Sequence, residues 1–185
     1  GVGRFTSPDT MVLQIRRGVL DFIGAARPSI ADPFLPRKID EGRSDEIREC
    51  IGCNICRATF KGSVPIRCTQ NPTMGEEWRR GWHPENIQPK TSDDRVLVVG
   101  AGPAGLECAL ALGKRGYDVL LAEAKTHTGG HITMAAKLPG LATWGRVRDY
   151  RLNLIQQMPN VNLYYESRLS VDDILAFDVP HVVLA

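Results

Sequence analysis

The sequence predicts an α/β protein in three successive parts: residues 1–48 as the C-terminal end of a (β/α)8 barrel, residues 49–92 as a cysteine-rich segment and linker, and residues 93–185 as part of a Rossmann-type domain. Three observations support this prediction. The first part has the order loop, helix, strand, loop, helix; the second carries a group of cysteines; the third has a glycine-rich turn after a β-branched run.

The first part has the pattern of one β/α repeat and the start of another. A cap residue followed by Pro8 predicts a helix of about ten residues that buries Met11, Val12 and Ile15. Residues 19–25 are mostly apolar and predict a short buried strand.

Both loops of this repeat have the means to bind a phosphate, as the loops after the last strands of (β/α)8 barrels commonly do. Gly3 permits close backbone approach, and Arg4 adds a positive charge. Ala26 and Arg27 offer backbone N–H groups and a guanidinium that can hold phosphate oxygens bidentately. The residues by themselves also allow both arginines to be ordinary surface side chains beside turns.

Four of the five cysteines form one group, in which two, two and eleven residues separate Cys50, Cys53, Cys56 and Cys68. Three thiolates in one tight loop with a fourth at a distance suit a 4Fe-4S cubane, in which each thiolate binds one iron. Structural zinc, whose ligands usually form two separated pairs, and a disulfide framework stay open as alternatives. Gly52 favours the iron-sulfur cluster loop because a residue without Cβ lets the backbone turn its N–H groups toward sulfur.

The third part begins with a dinucleotide-binding fingerprint. A β-branched run at 95–99 leads into Gly100, Gly102 and Gly105, and an Ala/Leu-rich helix follows. The first glycine makes the turn, the second lets the backbone approach a pyrophosphate, and the third lets the helix and strand pack closely. A second strand ends at Glu123, where an acid is expected to bind the ribose hydroxyls and to disfavour a 2′-phosphate.

Further elements complete a partial Rossmann unit. We expect an amphipathic helix at 143–158, a third parallel strand at 161–165, a capped helix starting at Ser170 and a last strand at 182–185. Because the chain begins without methionine and stops inside that apolar run, we interpret it as a fragment of a longer protein.

Composition and charge argue against a nucleic-acid-binding protein and against a membrane-spanning protein. The formal net charge of 185 residues is only +2, and no extended single-sign face indicates nucleic-acid binding. The basic, tryptophan-bearing run at 78–83 lies beside glutamates, so we interpret it as a locally neutralised surface. Glycines, Pro103 and Glu107 interrupt the longest apolar run, 96–113, so it cannot span a membrane. Reduced thiols point to the cytoplasm.

The order of these parts resembles the trimethylamine dehydrogenase family. That family includes dimethylamine and histamine dehydrogenases, related N-demethylases and, more distantly, 2,4-dienoyl-CoA reductase. The resemblance covers essentially the whole chain. Its specific strings are VGR at 2–4, ARPSIADP at 26–33, CIGCNIC at 50–56, CTQN at 68–71, GWHP at 81–84 and VGAGP at 99–103.

The resemblance implies three cofactors: FMN with its phosphate on the two barrel loops, a 4Fe-4S cluster on the four cysteines, and ADP or FAD on the three glycines and Glu123. In such enzymes the substrate passes a hydride equivalent to the flavin, and the cluster relays single electrons. The amine dehydrogenases pass these to an electron-transfer flavoprotein, whereas the reductases draw electrons from NADPH. We expect a homodimer, with the catalytic residues outside this segment.

Two positions depart from the family pattern. Phe60 stands where trimethylamine dehydrogenase has a tryptophan of the cage that holds the substrate cation. Phenylalanine keeps a smaller π face, so an amine substrate stays plausible and trimethylamine itself is in doubt; packing around the cluster is an equal alternative. Glu49 replaces an apolar residue before the first cysteine, so an electron path there would differ in detail.

The leading hypothesis is therefore an iron-sulfur flavoprotein that dehydrogenates or N-demethylates a small amine. A 2,4-dienoyl-CoA or enoate reductase of the same architecture is the alternative. A zinc-stabilised nucleotide-binding module is the third hypothesis, although zinc would not account for the barrel loops.

Overall fold

The computed structural model describes residues 1–62 and 64–185, which form two compact units, 1–86 and 87–185. No helix in these ranges is long and apolar enough to cross a membrane. The finer division into three parts, with boundaries after residues 48 and 92, stays a prediction.

Short helices provide the regular structure of the first unit. They are α1 (Pro8–Arg16), α2 (Ala26–Ala31), α3 (Leu35–Asp40), α4 (Ile55–Lys61) and α5 (Glu77–Arg80), with a 3-10 turn at Ser44–Glu46. Isolated helices shorter than about 12 residues are marginal in water, so packing and side-chain contacts must hold these in place.

The strand predicted at 19–25 is not formed. Val19 is 62% exposed and Phe22 is 83% exposed, and the described pairing there is one isolated parallel bridge between Val2 and Gly24. A parallel strand needs a neighbour that pairs with it over several residues, and one bridge does not provide this. Helix α1 buries no side chain, so the predicted burial of its apolar residues is also wrong.

A buried ion-pair network organises the chain before the first cysteine. The Lys38 ammonium, in α3, donates to Asp32 Oδ2 at 2.8 Å, to Glu85 Oε1 at 2.9 Å and to the Glu46 carbonyl at 3.0 Å. Asp32 Oδ2 also accepts the backbone N–H of Arg48 at 2.9 Å. Burial lowers the pKa of Lys38, but the hydrogen bonds to Asp32 and Glu85 outweigh it and the pKa is raised. The lysine therefore stays charged and ties three segments together.

The second unit is built on a four-stranded parallel sheet with the order β3-β2-β1-β4. Its strands are β1 (Arg95–Val99), β2 (Asp118–Ala122), β3 (Val161–Tyr164) and β4 (His181–Leu184). Its helices are α6 (Pro103–Arg115), α7 (His131–Ala135), α8 (Arg146–Gln156) and α9 (Val171–Ala176). This strand order is that of a Rossmann half, so the predicted parallel sheet is confirmed.

Apolar side chains of β1, β2, α6 and α8 form the core of this unit. They include Val96, Val98, Leu106, Leu110, Val119, Leu121, Leu154 and Ile155. Fully burying each of the larger side chains contributes about 1.5–3 kcal/mol. Because β1 and β2 pair in register along their whole length, the residues that follow them meet at one edge of the sheet.

The segment that composition predicts to be a linker packs onto the second unit. Lys90 N–H donates to the Arg115 carbonyl at 2.8 Å, and Arg115 Nε donates to the Gln88 carbonyl at 3.0 Å. Thr91 N–H donates to the Tyr117 hydroxyl at 3.2 Å. These contacts join the residues after 86 to α6 and the start of β2.

Candidate functional site

The four cysteines of the predicted cluster lie together in the first unit. Cys50 and Cys53 are in the loop before α4, Cys56 is in the first turn of α4, and Cys68 is in a later loop. All four are half-buried, and none of them forms a disulfide. Cys53 and Cys56 act electrostatically on Cys50, and Cys50 and Cys53 act on Cys68, which identifies the four as neighbours.

Two residues in left-handed conformation bend the cysteine loop. Gly52 has φ 70° and Asn54 has φ 60°, a region that glycine occupies freely and asparagine tolerates. The bend lets Gly52 N–H donate to the Sγ of Cys50 at 3.3 Å. Glycine thus has the backbone geometry expected of it at this position.

Backbone N–H groups act on two of the four thiols. Burial raises the pKa of the Cys50 thiol, and the Gly52 N–H opposes the rise. Burial likewise raises the pKa of Cys68, and the N–H groups of Asn71 and Gln70 oppose it. Hydrogen bonds to ligand sulfur favour the thiolate and orient it, so these residues fit an iron-sulfur cluster.

No three His, Cys, Asp or Glu side chains in residues 1–62 and 64–185 converge as ligands of a single metal ion would. A cubane does not require such convergence, because each of its thiolates binds a different iron.

Two buried amides hold the ends of the cluster segment. Gln70 Nε2 donates to the Glu49 carbonyl at 3.0 Å, and Asn71 Nδ2 donates to the Ile30 carbonyl at 3.1 Å. Gln70 therefore connects the loop of the fourth cysteine to the residue before the first, and Asn71 connects it to α2.

The parallel bridge described above brings the two predicted phosphate loops side by side. Gly3 and Arg4 follow Val2, one residue of the bridge, and are exposed. Ala26 and Arg27 follow the other side and form the first turn of α2, where N–H groups lack intrahelical acceptors. The structure therefore brings these four predicted residues together.

Both arginine side chains contact the cysteine loop. Arg4 Nη2 donates to the Gly52 carbonyl at 3.2 Å, and Arg27 Nη1 donates to Asn54 Oδ1 at 2.6 Å. Arg4 is exposed and Arg27 is half-buried, so both lie at the surface while making these contacts, and their role in phosphate binding stays a prediction. Each guanidinium has further N–H groups for another acceptor.

Phe60 lies on α4, and its side chain is 71% exposed. The ring does not pack into the core of the described unit. Its place in a substrate pocket stays a prediction.

The three glycines of the turn between β1 and α6 differ in what a side chain at each position would contact. Gly100 has φ 102°, and a Cβ there would overlap the carbonyl oxygen of Ala185. A Cβ on Gly102 would meet no atom within 4 Å, so this residue faces open space. A Cβ on Gly105 would overlap the carbonyl oxygen of Gly100, which shows how closely α6 approaches the turn.

The Glu123 carboxylate accepts hydrogen bonds from the backbone around this turn. Its Oε2 accepts the N–H of Ala101 at 2.9 Å, and its Oε1 accepts the N–H of Lys125 at 2.9 Å. Ala101 in turn accepts the N–H of Gly129 at 2.8 Å. A carboxylate can accept further bonds, so the predicted ribose contact stays a prediction.

Several residues that organise the site were not singled out as site residues. Asn54 follows Cys53 directly, and Gln70 and Asn71 come two and three residues after Cys68; an amide side chain so close to a cysteine is a signal that could have identified them. Asp32 and Lys38 gave no comparable signal, because they are six positions apart in the sequence and their shared network is completed by Glu85, 47 positions after Lys38.

The basic, tryptophan-bearing run is neutralised by a carboxylate. Glu76 pairs with Arg67 at 2.7 Å, with Arg80 at 2.9 Å and with Arg79. The hydrogen bond from Arg79 holds the pKa of Glu76 below its usual value. These pairs support the interpretation of the run as a locally neutralised surface.

Comparisons with known families match both units. Residues 1–46 match the NADH:flavin oxidoreductase / NADH oxidase family, and residues 98–167 match the NAD(P)-binding Rossmann-like domain. With the structures below, these matches confirm the predicted fold class: a barrel end, a cysteine loop and a partial Rossmann domain.

The relatives align with the whole chain. Dimethylamine dehydrogenase from Hyphomicrobium sp. (strain x) is 52% identical over 100% of this chain and 26% of its own length. Histamine dehydrogenase from Rhizobium sp. 4-9 is 60% identical with a TM-score of 0.97, over 100% of this chain and 27% of its own. The 6-hydroxypseudooxynicotine amine oxidase from Pseudomonas geniculata N1 is 60% identical with a TM-score of 0.96, over 100% of this chain and 28% of its own. The chain thus spans about a quarter of the length of these relatives.

Proposed function

The chain belongs to the trimethylamine dehydrogenase family, and from that premise we propose that the whole protein is an iron-sulfur flavoprotein that oxidises a small amine. The observation that carries the proposal is the group of four half-buried thiols, none in a disulfide, at Cys50, Cys53, Cys56 and Cys68. Their N–H donors and their separation over a loop and a helix suit a cubane.

When bound, the flavin supplies two-electron chemistry toward the substrate, and the 4Fe-4S cluster supplies single-electron transfer. The four thiolates would hold the irons, with Gly52 N–H aimed at sulfur. Arg4 and Arg27, with the backbone at Gly3 and Ala26, would hold the FMN phosphate through charge-assisted hydrogen bonds.

The glycine turn would hold the pyrophosphate of ADP or FAD. The open side of Gly102 lets the backbone approach the nucleotide, and the N-terminus of α6 favours an anion there. Glu123 lies at the end of β2, where it holds the turn and can receive the ribose hydroxyls. These residues contact only the part that ADP and FAD share.

Three relatives with 52% to 60% identity act on dimethylamine, histamine and 6-hydroxypseudooxynicotine, by their names. We therefore propose a small amine, with or without N-methyl groups, as the substrate class. The exposed ring of Phe60 would attract an ammonium through its π face. An electron-transfer flavoprotein as acceptor, a homodimer and a cytoplasmic location stay predictions from the family resemblance.

The first test is to express the intact parent protein anaerobically and to measure iron, acid-labile sulfide and zinc. We expect about four iron and four sulfide per polypeptide, together with amine-dependent reduction of an artificial electron acceptor. Stoichiometric zinc without sulfide would contradict the redox mechanism. A full cluster with turnover of enoyl thioesters by NADPH, and none of amines, would instead favour the reductase.

Replacing Cys53 with alanine should abolish the visible absorbance of the cluster, because one iron loses its thiolate. ADP binding should remain, since the glycine turn lies in the second unit and depends on its own core. Cys108, in α6, provides the control: its substitution by alanine should leave iron content unchanged. Full iron content in Cys53→Ala would show that the ligand assignment is wrong.

A further inference from the structure

Asn54 occupies the N-cap of α4, but its side chain does not cap that helix. Asparagine at this position usually accepts an N–H of its own first helical turn. Here Oδ1 instead accepts Nη1 of Arg27 at 2.6 Å, from a residue 27 positions earlier in the chain. The Asn54 carboxamide therefore connects the cysteine loop to α2.

This contact holds the guanidinium close to the cysteines. Asn54 follows Cys53 directly, and Cys56 is two residues further on. The hydrogen bond from Arg27 Nη1 to Asn54 Oδ1 therefore places a positive charge against the loop that carries these cysteines. Arg4 reinforces the arrangement by donating to the Gly52 carbonyl in the same loop.

The backbone of Arg27 belongs to the other segment. It lies in the first turn of α2, on the loop proposed above to hold the flavin phosphate. Its side chain spans from that loop to Asn54, and one hydrogen bond there leaves other guanidinium N–H groups for a phosphate oxygen. Arg27 can therefore contact both segments at once.

We propose that Arg27 and Asn54 form a tether that joins the phosphate loop to the cysteine loop and holds a positive charge beside the cluster, where it tunes the reduction potential. The proposal rests on the proposed function, because it requires a cluster at the cysteines. A cluster gains negative charge on reduction, so a nearby fixed cation stabilises the reduced form and raises the potential. In this arrangement Asn54 is a positioning residue.

The test uses Asn54→Gly in the intact holoenzyme. Glycine adopts φ 60° without strain, and no side-chain cap of α4 is lost, so the loop should still fold. Two quantities are measured: the rate at which a ferrous chelator removes iron, and the midpoint potential from an EPR-monitored redox titration. We expect iron release to be about tenfold faster, and the reduction equilibrium to shift about tenfold toward the oxidised form, a fall of about 59 mV for one electron.

Two further variants control for other causes. Asn54→Asp keeps an acceptor oxygen for Arg27, so iron release should return to the parental rate. Arg57→Gln removes an exposed positive charge next to Cys56 without touching the tether, so iron release should stay parental, and the potential should fall by less than in Asn54→Gly because solvent screens an exposed charge.

The outcomes separate the tether from the proposed function. A parent protein without iron and sulfide would contradict the proposed function itself. A parent with a full cluster, and an Asn54→Gly variant with parental iron release or parental potential, would overturn the tether and leave the proposed function standing.

Discussion

Replacing Asp32 with alanine should destabilise the first unit by about 3–5 kcal/mol, the usual cost of removing one partner of a buried ion pair. Lys38 is 1% exposed and would keep its charge with only Glu85 and one carbonyl as partners. The backbone N–H groups of Phe34 and Arg48 would lose the carboxylate that accepts them at 3.0 and 2.9 Å. Both losses fall on the segment that leads into the first cysteine.

Hydrogen exchange of the full chain, followed by mass spectrometry, measures this effect segment by segment. Each 1.4 kcal/mol is a factor of ten, so exchange at residues 30–50 should become at least about a hundredfold faster. Asp45→Ala removes an exposed carboxylate from the same unit and should change the free energy of opening by less than about 0.5 kcal/mol. Parental protection in Asp32→Ala would show that the network contributes little to stability.

Replacing Gly105 with alanine should destabilise the second unit by about 3 kcal/mol and abolish ADP binding. The new Cβ would overlap the carbonyl oxygen of Gly100, which is backbone and cannot rotate away. Helix α6 or the glycine turn must therefore move, and either movement displaces the N–H groups expected to hold a pyrophosphate. Thermal unfolding and calorimetric titration with ADP measure the two effects.

Gly102→Ala is the matched comparison on the same turn. A Cβ there meets no atom within 4 Å and the backbone φ is −71°, which any residue adopts. Stability should therefore stay within about 0.5 kcal/mol of the parent. ADP binding should nevertheless be lost, because the Cβ fills the space that the nucleotide would approach. If Gly105→Ala binds ADP as the parent does, or Gly102→Ala unfolds like Gly105→Ala, the roles assigned to the glycines are wrong.

The elements of the second unit could be predicted because their signals are local. The β-branched run before Gly100 predicts β1, and the spacing of the glycines places α6 directly after it. The start of α9 could be predicted in the same way, since Ser170 and Asp173 form the capping box that their spacing indicates. In each case a few neighbouring residues contain the whole signal.

The first unit was harder to predict because its strands depend on distant partners. Residues 19–25 have the composition of a strand, but composition does not say whether a neighbour pairs with it. For the same reason the contact of Lys38 with Glu85 could not be predicted from the sequence, because the two residues are 47 positions apart. Such contacts require the fold before they can be recognised.

The sequence by itself was enough to predict the α/β class, the glycine turn after β1 and the four cysteines as candidate ligands, because spacing and residue type are sufficient to recognise thiolate donors and tight turns. Only the tertiary structure decided that Asp32 and Lys38 form a buried network before the cysteines, and that Arg27 contacts Asn54. The physical reason is that hydrogen bonds and ion pairs depend on distances of about 3 Å between side chains. Residues far apart in the chain reach such distances only when the backbone has folded.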